Sequence, residues 1–234
     1  MMKTGIMQPY FFPYIGYWQL INVVDKFVVY DNIQFTKKGW IKRNRILMNG
    51  KDKMISLPIR KDSDFLDVNK RFLSETFAVE KKKIINQIKS AYSKAPQFDA
   101  VFPLVESAIN CGAENLFDFI YATIKSIIKY LEIDTEIIIS SEIDMDHSLR
   151  NRDRVIETCK ALHCNQYVNP IGGTDLYDKD DFASNGIDLK FLKTDSFEYK
   201  QFDHPFIPNL SIIDVVMFNS RDRMKEILEY YSLQ

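Results

Sequence analysis

The sequence predicts an α/β protein with a parallel-rich central sheet and an inserted helical lobe. Short β-rich runs alternate with helix-like segments at both ends of the chain, and apolar residues with a 3.6-residue period fill its middle. The chain has 234 residues, of which 46% are hydrophobic, enough to bury one full-sized core. We therefore expect a single domain over residues 1–234, with the helical lobe at about residues 79–131.

The amino-terminal segment predicts a strand, a loop, a helix and a second strand. Residues 3–7 form a short strand-like run, residues 14–24 have helical apolar spacing, and residues 26–31 form a β-rich run that ends in Asp31. Two parallel strands joined by a helix make a βαβ unit, whose ligands gather at the carboxyl ends of the strands. We expect the first loop and Asp31 to lie at that edge.

The following elements are predicted from turn signals and periodicity. A hairpin is expected around Asn49-Gly50, because this pair accepts the positive φ angles of a tight turn. Three amphipathic helices are expected within the lobe. The remaining expected elements are strands at 136–140, 166–170 and 187–193, a helix at 151–162, a loop at 171–178, and two carboxyl-terminal helices capped by Ser211 with Asp214 and by Ser220.

Charge is unevenly distributed although the net charge is only -1. Residues 1–100 carry 18 Lys and Arg against 9 Asp and Glu, a net +9, whereas residues 101–234 carry 13 against 23, a net -10. A basic half attracts a phosphorylated small molecule, while the acidic half argues against nucleic-acid binding. The simpler alternative is a solvated, lysine-rich helix.

Composition also bears on location and on cysteine chemistry. No apolar run approaches the length of a membrane helix and the start lacks a secretory signal, so we expect a cytoplasmic protein without membrane insertion. The three cysteines, Cys111, Cys159 and Cys164, have no CxxC spacing and are expected to be reduced and structural. His147 and His163 have no metal-ligand spacing, and the sequence names no cofactor.

The first loop contains a run of aromatic residues between two prolines. It comprises Pro9, Tyr10, Phe11, Phe12, Pro13 and Tyr14. Nearly consecutive rings cannot all face one core, and prolines restrict the backbone, so we expect a stiff loop that holds rings around a cavity. The alternative is that the rings seal the end of the sheet.

The start of the first helix resembles the His-x-Gly-His element of the nucleotidylyltransferases and class I aminoacyl-tRNA synthetases. The matching positions are Tyr14, Ile15, Gly16 and Tyr17, so the glycine is kept and both histidines are tyrosines. A helix amino terminus still favours a phosphate or carboxylate. Tyrosine does not supply the cationic hydrogen bonds of imidazolium, so adenylyl transfer does not follow from the resemblance.

A basic segment follows Asp31 and supplies further candidates. Its polar and stacking residues are Gln34, Lys37, Lys38, Trp40, Arg43, Asn44 and Arg45. Arginine forks bind phosphate or carboxylate, and Trp40 can stack on a base or sugar. Strand alternation predicts one face with Trp40, Lys42 and Asn44 and the other with Ile41, Arg43 and Arg45. A solvated basic hairpin is the alternative.

Two further candidate sites lie later in the chain. Gly172, Gly173 and Thr174 follow a predicted strand, where paired glycines let backbone N–H groups approach an anion, although an ordinary turn explains them equally well. We expect His204 to act as a general base if its loop folds over the cavity expected beside the aromatic loop. The sequence contains no GxSxG, P-loop or HExxH motif.

Taken together, several of these runs resemble the WbqC-like protein family over almost the full length. They are the segment from "MQPYFFPYIGYW" to "KKGWIKRNRI", then "YVNPIGGTDLY", "GIDL" and "PNLSIIDVVMFN". The matching positions of the amino-terminal motif are Gln8, Pro9, Tyr10, Phe12, Pro13, Gly16, Tyr17, Asp31, Gln34, Lys38, Trp40, Arg43 and Asn44. The resemblance implies a cytoplasmic bacterial protein of O-antigen or other surface-polysaccharide biosynthesis, which adds an amino acid or other acyl group to an amino sugar.

Under that reading the partners are a nucleotide sugar and an activated acyl donor. We expect the catalytic set to be Asp31, Lys38, Arg43, Asn44 and His204, with phosphate on the cations, a carboxylate or imidazole as base, and Asn44 or Tyr17 as oxyanion donor. The expected substrate-binding set is Gln8, Tyr10, Phe12, Tyr14, Gly16, Tyr17, Gln34, Trp40, Gly172, Gly173 and Thr174. The alternatives are an ATP-dependent acyl-adenylate ligase and a non-catalytic nucleotide-sugar-binding protein.

Overall fold

Eight strands and eight α-helices make up the protein in a computed structural model that describes residues 1–234. The strands are β1 (Lys3–Met7), β2 (Lys26–Val29), β3 (Arg43–Met48), β4 (Lys51–Ser56), β5 (Glu136–Ile139), β6 (Gln166–Pro170), β7 (Asp188–Thr194) and β8 (Tyr231–Leu233). The helices are α1 (Ile15–Val23), α2 (Phe77–Tyr92), α3 (Phe98–Ile109), α4 (Leu116–Leu131), α5 (Asn151–Ala161), α6 (Lys179–Ala183), α7 (Ile212–Phe218) and α8 (Arg221–Leu228).

The central sheet has six strands in the order β5-β2-β1-β6-β7-β8. All neighbours pair in parallel except β7 and β8, which are antiparallel, so the prediction of an α/β fold with a mostly parallel sheet is confirmed. The chain passes from β1 outward to β2 and β5, and later from β6 outward to β7. The direction of strand order therefore reverses between β1 and β6, where a crevice for ligands opens at the carboxyl ends.

Alternating strand residues divide the core between the two faces of this sheet. Phe27 and Val29 of β2 enter a cluster of 48 buried residues that includes α1 and the three helices α2 to α4. Val28 enters a second cluster of 13 buried residues with α5 and α6. This is the period-2 arrangement expected of a strand covered on both faces. None of the helices has both the length and the apolar sequence that crossing a bilayer requires.

The β3–β4 hairpin forms a separate two-stranded sheet around Asn49 and Gly50, both at positive φ. Strand β3 begins only at Arg43, later than predicted, because residues before it form turns: Gly39 N–H donates to the Thr36 carbonyl at 3.1 Å. Trp40 therefore lies outside strand β3, and the alternation of side chains along that strand does not apply to it. Placing Trp40 on the face opposite Arg43 and Arg45 was wrong, since its ring lies 5.7 and 5.6 Å from their guanidinium carbons.

The carboxyl-terminal helices begin at the predicted serines. Ser211 Oγ accepts from Ile213 N–H at 3.2 Å, and Ser220 Oγ accepts from Arg223 N–H at 3.3 Å. The predicted capping box with Asp214 was wrong, because Ser211 N–H donates to the Arg45 carbonyl instead. The Asp214 side chain is fully buried and points into the core. All three cysteines are free, and Cys111 is exposed whereas the other two are buried.

Candidate functional site

A cavity of about 270 Å³ lies where the strand order reverses. We call it the aromatic cavity; its lining residues are Met7, Tyr10, Pro13, Tyr14, Gly16, Tyr17, Trp40, Asn44, Arg45, Pro170 and Asn209. Met7 ends β1 and Pro170 ends β6, so the cavity occupies the crevice that a doubly wound sheet offers to a ligand. The aromatic loop and the basic segment thus meet at one place.

The aromatic loop divides its rings between the core and the cavity. Phe11 and Phe12 are 0% and 1% exposed and pack into the main core, whereas Tyr10, Tyr14 and Tyr17 line the cavity. The change of direction falls at Phe12, whose φ is +44°. The tyrosines therefore surround a cavity, as expected, while Phe11 and Phe12 are sealed into the core, as in the alternative. The Phe12 ring has no access to a ligand.

Hydrogen bonds from three side chains, two of them distant in the sequence, hold the backbone of this loop. Asn44 Nδ2 donates to the carbonyls of Phe11 at 3.1 Å and Phe12 at 2.7 Å. Ser211 Oγ also donates to the Phe12 carbonyl at 2.8 Å, and Trp18 Nε1 donates to the Pro13 carbonyl at 3.0 Å. The wall that presents the tyrosines is therefore fixed before any ligand binds.

Asn44 acts in this structure as a bracket for the loop. Both hydrogens of its amide are used, and its Oδ1 accepts from Arg45 N–H at 2.8 Å. The side chain is 5% exposed. The oxyanion-donor role expected for Asn44 therefore has no hydrogen available to it. Tyr17 is similarly engaged, since its hydroxyl donates to the Gln8 carbonyl at 3.2 Å.

Arg45 is the cation that reaches the aromatic cavity. Its guanidinium faces the Trp40 ring, donates from Nη2 to the Asn209 carbonyl at 3.2 Å, and pairs through Nη1 with the Asp52 carboxylate at 3.3 Å. Arg43 does not line the cavity, because its guanidinium donates to the carbonyls of Gly39 at 3.0 Å and Lys38. The sequence prediction named both arginines in the basic segment but chose Arg43 for the catalytic set, because nothing in the sequence indicated that the loop at Asn209 would come to lie against Arg45.

The polar groups of the aromatic cavity are mainly hydrogen-bond donors. Burial raises the pKa of both Tyr10 and Tyr17, so these phenols stay neutral at physiological pH. The lining contains one guanidinium and no carboxylate or imidazole. Such a cavity can stack on a ring and bind a phosphate or carboxylate, but it offers no base for removing a proton.

A larger cavity of about 870 Å³ adjoins the aromatic cavity and shares Tyr14 and Asn209 with it. We call it the adjoining cavity. It lies beyond the carboxyl end of β7, and its lining includes the rings of Phe197, Tyr199 and Phe206 and the carboxylates of Asp195 and Glu198. These carboxylates were not among the predicted site residues. The signal available was their position directly after a strand of the parallel sheet.

Tyr14 lies between the two cavities and folds back over Gly16. A Cβ on Gly16 would overlap the Tyr14 hydroxyl and would come within 2.7 Å of Thr194 Oγ1. The absence of a side chain at this position therefore lets Tyr14 and β7 approach the start of α1. The space that a glycine leaves for a nucleotide in the His-x-Gly-His element is occupied here by protein atoms.

Several predicted site residues lie away from the aromatic cavity. The Asp31 carboxylate is 3% exposed and accepts from Asn69 Nδ2 at 2.7 Å and from the N–H and Oγ of Ser141 at 2.8 and 2.6 Å. It therefore joins β2 to two neighbouring loops. Lys38 is exposed, and exposed Gln34 donates to the Asp64 carbonyl at 3.0 Å. Neither side chain belongs to the lining.

His204 lies against the turn of the β3–β4 hairpin. Its ring would be 2.8 Å from a Cβ on Gly50. His204 therefore lines neither the aromatic cavity nor the adjoining cavity, although the same loop contributes Asn209 to both.

The glycine pair after β6 points away from the aromatic cavity. A Cβ on Gly173 would overlap the amide of Asn169, whereas Gly172 faces open space. Thr174 lines a different, polar cavity of about 680 Å³ next to the start of α5. No group of three or more His, Cys, Asp or Glu side chains lies close enough together to hold a metal ion.

Fold and cavity together define an α/β protein with a cavity at the switch point of a mostly parallel sheet. Residues 8–226 match the model of the WbqC-like protein family, and the chain belongs to this family. The predicted resemblance is thereby confirmed. Over 232 residues the chain is 26% identical to a Mycobacterium tuberculosis protein named "Uncharacterized protein Rv1507c", with 98% of this chain and 99% of that relative covered.

Proposed function

We propose that the protein is a cytoplasmic transferase of surface-polysaccharide biosynthesis, such as that of O-antigen, which adds an amino acid or other acyl group to an amino sugar or nucleotide sugar. The observation that supports this best is the pair of cavities that share Tyr14. A transfer reaction needs two substrates held side by side with their reacting atoms in contact. Two adjoining cavities at one sheet edge provide that arrangement.

In this proposal the aromatic cavity binds a ring of the nucleotide sugar. Trp40 is 42% exposed, so a ligand can contact the part of its ring that Arg43 and Arg45 leave open. Tyr10 and Tyr17 form a second aromatic surface with ring centroids 5.9 Å apart. Arg45 supplies a guanidinium for phosphate or carboxylate oxygens, and a bound anion would compete there with Asp52, which lies 3.3 Å from Arg45 Nη1. Lys38 and Arg43, the phosphate ligands expected from the sequence, are replaced in this role by Arg45.

The chemical step is attack of the sugar amine on the carbonyl carbon of the acyl donor. A C–N bond forms, the bond from carbonyl carbon to leaving group breaks, and the amine loses one proton. In this proposal Asp195 or Glu198, which line the adjoining cavity, accepts that proton. The Tyr14 hydroxyl, which lines both cavities, donates to the oxyanion. Asp31 and His204 take no part in this scheme.

A second candidate function is non-catalytic binding of a nucleotide sugar. It is favoured by the absence of carboxylate and imidazole side chains from the lining of the aromatic cavity. Binding of a nucleotide sugar without turnover of any acyl donor would favour this candidate.

An acyl-adenylate ligase is a third candidate, supported by the strand, loop, helix and strand order at the start of the chain. The filled space beside Gly16 counts against a nucleotide at that position. Exchange of labelled pyrophosphate into ATP in the presence of an amino acid would favour the ligase, and its absence would leave the transferase and the binding protein.

Calorimetry with a uridine diphosphate amino sugar tests the proposed site. We expect Trp40→Ala to weaken binding roughly ten- to a hundredfold, because stacking of a base on an aromatic ring contributes about 1–3 kcal/mol. Phe65→Ala is the matched control, since Phe65 is 83% exposed and lies outside both cavities. Equal affinity of the wild type and Trp40→Ala would reject the aromatic cavity as the binding site.

Mass spectrometry of reactions with aminoacyl and acyl donors tests the chemistry. We expect the double change Asp195→Asn with Glu198→Gln to lower turnover at least tenfold, because a general base contributes at least this much, while nucleotide-sugar affinity stays within about twofold. Undiminished turnover in this variant would remove the two carboxylates from the mechanism.

A further inference from the structure

Five cationic side chains converge on another small cavity, of about 250 Å³. They are Lys37, Lys42, Arg60, Lys61 and Arg71, and we call this the cationic cavity. It shares no residue with the aromatic cavity or the adjoining cavity. The basic segment separates the two sites, since Trp40 and Arg45 line the aromatic cavity while Lys37 and Lys42 line the cationic cavity.

The positive charge of the cationic cavity is poorly compensated. Of the five cations only Lys37 has an ion pair, with Asp64 at 2.7 Å. Asp62 is the single carboxylate in the lining, and it accepts from Ser63 N–H at 2.7 Å. Like charges gathered around a concave surface repel one another, and a bound anion removes that repulsion.

Arg71 gives the cationic cavity a preorganised donor. The residue is 2% exposed, and its guanidinium stacks on Phe35 with 5.0 Å to the ring centroid. Nη1 and Nη2 donate to the carbonyls of Ser63 at 2.6 Å and Arg60 at 3.2 Å, which fixes the plane of the group. Its Nε is buried and has no partner. A buried guanidinium without a carboxylate partner is otherwise costly.

The electrostatics of Lys42 reflect the positive charge around it. Partial burial lowers the pKa of Lys42, and the neighbouring Arg43 and Arg71 lower it further. Lys42 therefore experiences the repulsion that a bound anion relieves. Arg60 also has no ion pair. Its guanidinium lies 5.5 Å from the Phe72 ring centroid.

We propose that the cationic cavity is a binding site for a phosphate or diphosphate group, separate from the proposed transferase site. Several lysine and arginine donors around a small concave space suit the three or more oxygens of a phosphate. A small phosphorylated ligand fits better than nucleic acid, because the cations form one confined cavity rather than a stripe, and residues 101–234 have a net charge of -10.

Titration calorimetry with three probes tests this site: inorganic phosphate, pyrophosphate and uridine diphosphate. We expect saturable binding of pyrophosphate that weakens as ionic strength rises. Lys42→Gln and Arg60→Gln should each weaken it roughly three- to tenfold, because each removes one charge-assisted contact. Arg71 is left unchanged, since a variant of this buried side chain risks loss of folding. Lys53→Gln, on the exposed strand β4, is the matched control.

The probes also distinguish the source of the phosphate. If inorganic phosphate binds as tightly as pyrophosphate, the site takes a single phosphate. If uridine diphosphate binds more tightly than either, the site takes a nucleotide. Either result supports the inference when Lys42→Gln weakens the binding of that probe. Trp40→Ala should leave pyrophosphate binding unchanged even if the proposed transferase function fails. The inference is overturned if no probe binds, if Arg45→Gln rather than Lys42→Gln abolishes binding, or if a single-stranded oligonucleotide displaces pyrophosphate at lower concentration.

Discussion

At the scale of single residues, the structure separates polar side chains that hold the fold from those free to meet a ligand. Asn44 and Asp31 match the family motif, and the sequence made them candidates for catalysis, yet each is saturated by buried hydrogen bonds. Arg45 has the same side chain as Arg43 but different neighbours, namely the Asn209 carbonyl and the Asp52 carboxylate instead of the carbonyls of Lys38 and Gly39. Such differences depend on tertiary contacts, which a single sequence does not contain.

Asn44→Ala should destabilise the fold by about 2–3 kcal/mol, because it leaves the Phe11 carbonyl without a donor and removes one of two donors to the Phe12 carbonyl. Urea unfolding measures the change. Asn22→Ala is the control, since Asn22 makes one exposed hydrogen bond, to Glu229 at 2.8 Å, and should lose less than about 1 kcal/mol. Equal losses in the two variants would contradict the bracket role of Asn44.

Asp214 should make the folded state more stable at acidic pH than at neutral pH. Burial raises its pKa from 3.8 to about 6, against the hydrogen bonds from Tyr199, Tyr92 and Gln201. The folded state therefore holds this proton more tightly than the unfolded state. The stability that the group contributes is fully present below about pH 4 and is lost as pH rises through about 6, a change of roughly 3 kcal/mol at most.

The Asp214→Asn variant isolates this effect, because it removes the titrating group at the same position. We expect the unfolding free energy of the wild type, minus that of the variant, to fall as pH rises from 4 to 7. Urea unfolding at half-unit pH steps measures it. A constant difference over this range would show that Asp214 does not titrate there.

At the scale of elements, local signals were sufficient where the determining contacts are local. The first βαβ unit, the turn at Asn49 and Gly50 and the caps at Ser211 and Ser220 follow from periodicity, positive φ and capping chemistry. The turns around Trp40 were missed, since a short polar run with a tryptophan reads equally well as a strand. The reversal of the sheet between β1 and β6 was also not predicted, because it is set by which strands pair.

The turn after β6 offers a test of packing with two adjacent glycines. Gly173→Ala should cost about 1–3 kcal/mol, because its Cβ must displace the buried Asn169 amide, which accepts from Tyr167 Oη at 2.9 Å. Gly172→Ala is the control, since nothing lies within 4 Å of its Cβ, and it should change stability by less than about 0.5 kcal/mol. Thermal unfolding of both variants measures the difference, and a reversed order would contradict the described packing.

At the scale of the whole molecule, the two proposed sites lie on opposite sides of one short segment and share no lining residue. They should therefore load independently. The family assignment follows from the full length of the chain, whereas the two sites depend on where distant loops meet. This explains why the sequence indicated the family correctly and gave only part of the cavity lining.

Independent sites predict additive stabilisation. A ligand at 100 times its dissociation constant raises the unfolding free energy by about 2.7 kcal/mol, and two such ligands at separate sites raise it by about twice that amount. Urea unfolding with a uridine diphosphate amino sugar, with pyrophosphate, and with both measures the three values. A combined effect no larger than the greater single effect would show that the two probes compete for one site.

The Phe12 carbonyl accepts hydrogen bonds from Asn44 and from Ser211. These two bonds determine when the cavity wall can form while the protein is being translated. The two anchors are 167 positions apart in the chain. A nascent polypeptide that has left the ribosome only as far as α6 lacks Ser211 and Asn209, and so has an unfinished pocket. Ligand recognition should therefore appear abruptly, late in translation, rather than grow gradually as the sheet assembles.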